Sequence, residues 1–256
     1  MKRRARLFAA LVIACCAAAQ AETIQYEGSS TIGKFIADAG IFYPAADLTS
    51  HVETESRGGE ECAVDNTCEL GGVARQLTAD ALNQGVTGTL IGKDAIAAIV
   101  NWRNPVNDIS RSQLKGIFSG RITNWSELGG PDMAIKPYIV QTASATRQVF
   151  KEKILGANDY GNVEVARPDR RILSKVVHEW GAIGQISIAF LQDINAIKAL
   201  KIDGQPPTAD NPDYPVTRPL YLVTHGKPSA KLQSFLDWTL SDEGQKVVKR
   251  RFVGVR

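Results

Sequence analysis

Thr23-Ile24-Gln25-Tyr26-Glu27-Gly28-Ser29-Ser30-Thr31-Ile32-Gly33-Lys34-Phe35-Ile36 changes its period in mid-course. Thr23 to Tyr26 reads as a strand. From about Ile32 to Phe42 the apolar residues return at helical spacing. Between the two lies the short turn Gly28-Ser29-Ser30-Thr31. The same design recurs at Thr142-Ala143-Ser144-Ala145-Thr146. There a strand over Ile135–Val140 precedes the turn, and a helix capped by Ser144 runs through Arg147, Phe150 and Ile154. Apolar runs alternating with helical patterns predict α/β architecture.

The pattern continues outward. Leu48–Glu53, Thr89–Ile91, Ala95–Asn101, Ile183–Ile188 and Leu220–Thr224 read as strands. Ser110-Arg111-Ser112-Gln113 has capping-box form ahead of Leu114, Ile117 and Phe118. Asp169 is expected to cap a helix carrying Ile172, Val176 and Trp180, with Gly181 as its stop. Ser229–Lys249 reads as one long amphipathic helix. The Gly/Pro-rich stretches Gly129–Pro137 and Gly204–Pro215 read as surface loops.

The first residues have a different character. Lys2, Arg3, Arg4 and Arg6 precede an apolar run from Leu7 to Ala18, and Ala19-Gln20-Ala21 has A-x-A form. This predicts a secretory signal over residues 1–21, since the run is too short to span a bilayer. A lipoprotein signal with an anchor at Cys15 is the alternative. The whole chain carries 30 basic and 27 acidic residues, a net +3. Without the four basic residues of that segment, 26 basic groups face 27 acidic ones, a net −1. No surplus of positive charge then points to nucleic acid. The protein is expected in the periplasm. There, Cys62 and Cys68 should form a disulfide closing a small loop, for a gain of about 2 kcal/mol. A metal site is the alternative for this pair, with no further Cys or His nearby to complete it.

Both Ser/Thr turns stand where a helix begins. A helix N-terminus offers unpaired N–H groups and the positive end of its dipole, the hydroxyls add donors, and glycine lets the backbone approach a ligand. That combination binds anions without net charge. Ser56-Arg57-Gly58-Gly59 reads as a third such turn, with a hydroxyl, a guanidinium and flexible backbone N–H groups. Catalytic readings lack support. The three histidines, His51, His178 and His225, have no metal spacing. There is no G-x-S-x-G elbow, Walker loop or dinucleotide fingerprint. No cofactor is expected and the protein is read as a binding protein, not an enzyme.

Several motifs together resemble the periplasmic phosphate-binding proteins of ABC transporters, within the type II periplasmic-binding-protein superfamily. They are Gly28-Ser29-Ser30-Thr31, Leu114-Lys115-Gly116-Ile117-Phe118-Ser119-Gly120 running into Ile122-Thr123-Asn124-Trp125, and Ser144-Ala145-Thr146-Arg147. Gly181-Ala182-Ile183-Gly184, Arg218-Pro219-Leu220-Tyr221 and Ser241-Asp242-Glu243-Gly244-Gln245 complete the set. The resemblance implies two α/β domains joined by a two-strand hinge, with the ligand in the cleft between them. The crossings are expected near Lys93–Val100 and Tyr214–Leu222. The boundaries expected are 22–95 with 216–256 for domain one and 96–215 for domain two.

The resemblance also implies ligand contacts at Ser30, Thr31, Ser56, Ser144 and Thr146. Gln141 stands where the family has an arginine, Ala145 replaces a glycine, and Ala74 stands where the family has an aspartate. A desolvated oxyanion needs a cation, so Arg57 or Arg75 is expected to supply one, with Arg57 favoured by its place in the turn. The implied function is capture of phosphate or a similar oxyanion for an inner-membrane ABC permease, by a monomer. Two alternatives stand beside it: a phosphate-binding-like domain with no transporter role, serving as sensor, adhesion or scaffold protein, and a periplasmic hydrolase of phosphate esters.

Overall fold

The computed structural model describes residues 22–192 and 194–256; the expected signal segment and Cys15 lie outside the described residues. The chain opens with three strand–helix pairs: β1 (Glu22–Gly28) and α1 (Ser30–Phe42), β2 (Ala46–His51) and α2 (Glu55–Val64), β3 (Leu70–Val73) and α3 (Ala79–Asn83). Next comes β4 (Val86–Asn101), a 16-residue strand that joins the two apolar runs expected as separate strands. A second group follows: β5 (Asp108–Ile109), α4 (Arg111–Phe118), β6 (Lys136–Val140), α5 (Ala145–Phe150), β7 (Glu164–Ala166), α6 (Arg171–His178), β8 (Ala182–Ser187), β9 (Ile197–Ala199) and β10 (Lys201–Ile202). The chain returns through β11 (Thr217–His225), α7 (Ala230–Leu240), α8 (Asp242–Val248) and β12 (Val253–Gly254).

The strands lie in the order β2-β1-β3-β11-β4-β8-β6-β7. β1 pairs parallel with β2 and β3, and β6 pairs parallel with β7 and β8, as strand–helix–strand units require. Between these groups, β4 is antiparallel to β11 along its first part and to β8 along Ile96–Val100. β4 therefore belongs to both halves of the molecule, and the chain crosses back just ahead of β11, where Ile96 N donates to Val216 O at 2.9 Å.

Each half has its own interior. Ile24, Ile32, Phe35, Leu70, Leu222 and Phe235 pack in the first. Leu114, Phe118, Trp125, Ile139 and Phe150 pack on one side of the second half's sheet, and Tyr138, Val140, Ile172 and Val176 on the other. β4 serves both layers: Ile96, Ala98 and Val100 face one, Ala97 and Ile99 the other. A strand covered on both faces reads as a continuous apolar run, and Ala95–Val100 does so.

Three expectations need correction. Ser229–Lys249 is not one helix: Ser241, at ψ 168°, ends α7, and its hydroxyl accepts from Gly244 N at 3.2 Å to start α8. A serine followed by Asp242 and Glu243 is a strong helix start, because hydroxyl and carboxylates both suit the positive end. Asp169 does not cap α6, whose N-cap position is Arg170 with no side-chain cap. Ser56-Arg57-Gly58-Gly59 is not a flexible turn but lies in the first turns of α2. Its Gly59 serves close packing, since a Cβ there would sit 2.5 Å from Gly72 O. The capping box at Ser110 and Gln113 and the cap at Ser144 form as expected. Cys62 and Cys68 are joined by a disulfide across Cα atoms 5.3 Å apart. No helix among the described residues is long and apolar enough to cross a membrane.

Candidate functional site

The site begins where β1 turns into α1. Gly28 has φ 128°, a conformation that suits glycine, and a Cβ there would come within 2.5 Å of Gly72 O. The turn is fixed by Ser29 N donating to Gly72 O at 3.0 Å and the Tyr26 hydroxyl donating to Ser29 O at 2.7 Å. Ser29 caps α1 by accepting from Ile32 N, so Ser30 and Thr31 occupy the first turn. α2 packs beside it, and the Ser56 hydroxyl accepts from Ala74 N at 3.1 Å, tying α2 to the end of β3. From the other half, the Ser144 hydroxyl caps α5 by accepting from Thr146 N, and Gln141 lies buried at the end of β6.

Arg218 joins the two helix starts. It lies on β11 opposite Asp94 of β4, and its side chain is 1% exposed. Its guanidinium donates to the Thr31 hydroxyl at 2.9 Å and to the Thr146 hydroxyl at 3.0 Å, one from each half. Its Nε donates to Asp94 Oδ2 at 2.9 Å, and the Ser187 hydroxyl donates to Asp94 Oδ1 at 2.8 Å. Burial pushes the Asp94 carboxyl up, while Arg218 and Ser187 pull it back. The planar fork of an arginine suits this work, because its donors point at fixed angles in one plane.

Two further acids face this cluster. The Glu55 carboxylate accepts from Ser30 N at 3.1 Å and so sits on the N-terminus of α1, 2% exposed. Its backbone has φ 56°, a left-handed conformation uncommon for a residue with a side chain. Burial, and then the nearby Asp169, push Glu55 up to about 8, against the pull of Ser30 and Arg218. Asp169 is 3% exposed and its Oδ1 has no hydrogen-bond partner. Burial raises it to about 6, while Ser144, Gln141 and Arg218 favour its ionised form. The Ser30 hydroxyl is likewise buried without a partner. A cavity of about 270 Å³ opens beside these groups, lined by Ser30, Lys34, Glu55, Asp169, Arg170 and Phe190 among others.

The structure thus gathers Ser30, Thr31, Ser56, Ser144, Thr146 and Gln141 around two helix starts. The two arginines expected to supply charge stand elsewhere. Arg75 makes a buried bidentate pair with Glu60, at 3.0 and 2.6 Å. Arg57 is exposed at the rim, where its N–H donates to Ala143 O at 3.2 Å and its guanidinium to Thr142 O at 3.4 Å. The buried cation is Arg218. The sequence marked it only as part of a motif, and it gave no role to Glu55 or Asp94.

The comparisons extend over most of the chain. A family profile described as a PBP superfamily domain matches residues 17–243. The phosphate-binding protein PstS of Bacillus subtilis is 33% identical over 157 residues, covering 60% of this chain and 52% of that protein. The chain therefore spans about half the length of that relative. PstS of Borreliella burgdorferi is 22% identical over 247 residues, covering 90% of this chain and 88% of that one. Among solved structures, a phosphate ABC transporter substrate-binding protein from Clostridium perfringens with bound phosphate has a TM-score of 0.84 and 31% identity. That match covers 92% of this chain and all of the other. An ABC-type phosphate transport receptor from Vibrio cholerae has a TM-score of 0.71 at 23% identity, over 91% of this chain. These likenesses carry the type II periplasmic-binding fold: two α/β domains joined by a two-strand hinge.

Proposed function

This chain belongs to the PBP superfamily, and from that premise we propose that it captures phosphate in the cleft between its two halves and delivers it to an ABC permease. The observation that carries this reading is Arg218. Its guanidinium, held by Asp94, donates to the Thr31 and Thr146 hydroxyls at the two Ser/Thr-lined helix starts, which leaves both hydroxyls to donate to an oxyanion between them. The unpartnered Ser30 hydroxyl adds a donor at the same place. Ser56, Gln141, Ser144 and Thr146 complete the set in this reading, and Arg57 acts at the rim. Arg75 remains with Glu60 as part of the scaffold. The phosphate-bound relative from Clostridium perfringens supports the ligand, and the names of the relatives support the transporter partner.

In this reading the protein is exported, acts as a monomer and catalyses no reaction. Domain one comprises 22–95 and 216–256, and domain two 96–215. The pairing of Thr217 with Ala95 supports a hinge at that level. A second reading, a phosphate-binding-like domain with no transporter role, draws on the two acids in the cleft and on uncharged Gln141. Calorimetric titration with phosphate, sulfate, molybdate and citrate at pH 6–7 tests the proposal. Saturable binding of phosphate is expected; folded protein that binds none of the four would sink it. A permease encoded beside this protein favours the transport role over the second reading.

A further inference from the structure

Glu55 spends backbone conformation to reach its place. A non-glycine residue at φ 56° persists only where its surroundings hold it, and here they hold a carboxylate against the first N–H of α1. That N–H belongs to the helix start at which the cleft would receive a ligand oxyanion. The site therefore already contains an acid of its own chain, buried and facing the equally buried Asp169.

The charges around Glu55 can be counted from each element packed against it. β1 presents Tyr26, raised far above its usual range by burial and by Glu55 itself. α1 presents Lys34, and Glu53 precedes Glu55 in the chain; both line the adjoining cavity. The segment ahead of α6 presents Asp169 and Arg170, and β11 presents Arg218, whose charge is already shared with Asp94. With Glu55 and Asp169 both ionised, the one guanidinium at the centre faces three carboxylates. A further anion entering that cluster meets three carboxylates that Arg218 alone does not balance, while Lys34 and Arg170 stand at the wall of the adjoining cavity.

We propose that Glu55 is an internal occupant of the oxyanion seat, and that the cleft closes on its ligand only with Glu55 protonated, so that capture draws a proton from solvent onto that carboxyl. The inference rests on the phosphate reading above and deepens it. Protonation removes one negative charge and turns the group from a pure acceptor into a donor, so the acid that blocks the seat when ionised becomes a ligand contact when neutral. The raised position of Glu55, caused first by burial, agrees with this.

The test is phosphate titration by calorimetry between pH 6 and 9, in buffers of different ionisation heat, on the full chain and on Glu55→Gln and Asp169→Asn. Between pH 8 and 9 free phosphate is largely dianionic, so capture of the dianion takes its proton onto the protein, whereas capture of the monoanion would give the same slope from the ligand; Glu55→Gln separates the two, since it abolishes only the first. For the native chain we expect uptake approaching one proton and a Kd that rises by up to about tenfold per pH unit there. Glu55→Gln, neutral at every pH, should lose that slope and bind more tightly than the native chain at pH 9. Asp169→Asn removes a charge that raises Glu55, so the rise in Kd should begin at lower pH than in the native chain. If Glu55→Gln keeps the full slope and proton count, the inference is overturned while the phosphate reading stands. If no variant binds phosphate at any pH, the phosphate reading fails and takes the inference with it.

Discussion

Replacing Arg218 by methionine isolates the interaction on which both the fold and the site depend. The side chain keeps an unbranched apolar stem, ends near the position of Nε, and loses every donor. Asp94, 0% exposed, would then retain only the hydrogen bond from Ser187 among those it now receives from side chains. Breaking a buried pair by removing one partner costs about 3–5 kcal/mol, because the remaining charge is left uncompensated. That is a large part of the 5–15 kcal/mol typical of a whole domain. The loss should depend on pH, and its sign follows from Asp94. Its carboxyl is already raised by burial despite Arg218, and it rises further when Arg218 is gone. The folded variant then binds a proton that the unfolded chain has released, so its deficit is small below the ordinary carboxylate range and deepens as pH rises. Glu55 and Asp169, which Arg218 also pulls down, add in the same direction. Urea unfolding of the native chain and Arg218→Met at pH 5 and pH 8 measures this. Adding Asp94→Asn to the variant should restore more than about 1 kcal/mol at pH 8, since the amide can still accept from Ser187. A loss below about 1 kcal/mol at both pH values, or no recovery in the double variant, would falsify the assignment of Arg218 as the buried cation.

Three further outcomes are expected. Protein isolated from the periplasm should take up no alkylating reagent at Cys62 or Cys68 without reductant, and replacing both by alanine should cost about 2 kcal/mol in urea unfolding; labelling of both thiols in the native protein would contradict the bond. Gln141→Arg should tighten phosphate binding by about tenfold or more, as a charged donor replaces a neutral one close to Asp169; unchanged affinity in calorimetry would mean that charge does not limit capture. The radius of gyration from small-angle scattering should fall with saturating phosphate, because ligand contacts from both halves favour the closed arrangement; equal radii with and without ligand would remove the clamp from the mechanism.

The fold was legible where its signals are local. Ser110 with Gln113 and Ser144 ahead of Thr146 each cap a helix through bonds spanning two or three residues, and such bonds are written in adjacent letters. The strand-to-helix change of period at Gly28–Thr31 is equally local. The same reliance on short range explains the errors. Ser229–Lys249 carries apolar residues at helical spacing on both sides of Ser241, at Leu232, Phe235, Leu236 and Leu240 and again at Val247, which hid the helix start that Ser241 and Gly244 make between them. Asp169 is a residue type that caps helices, yet α6 starts one residue later and the carboxylate is left to the cleft.

The charged part of the site was illegible for a different reason. Arg218 meets Asp94 across 124 residues, and it does so because β11 and β4 pair in one register. A shift of one residue would turn Arg218 to the other face of the sheet and pair it with nothing in the cleft. The places of Ser30, Ser144 and Thr146 at helix starts could be read from their turns, since a helix start makes a donor cluster whatever lies opposite, while Ser56, read as a turn, lies in α2. A charge gains its role only from what faces it. Glu55 carries no local signal in the sequence; held over α1 at φ 56° and facing Asp169, it is the group on which the proposed entry of an anion turns.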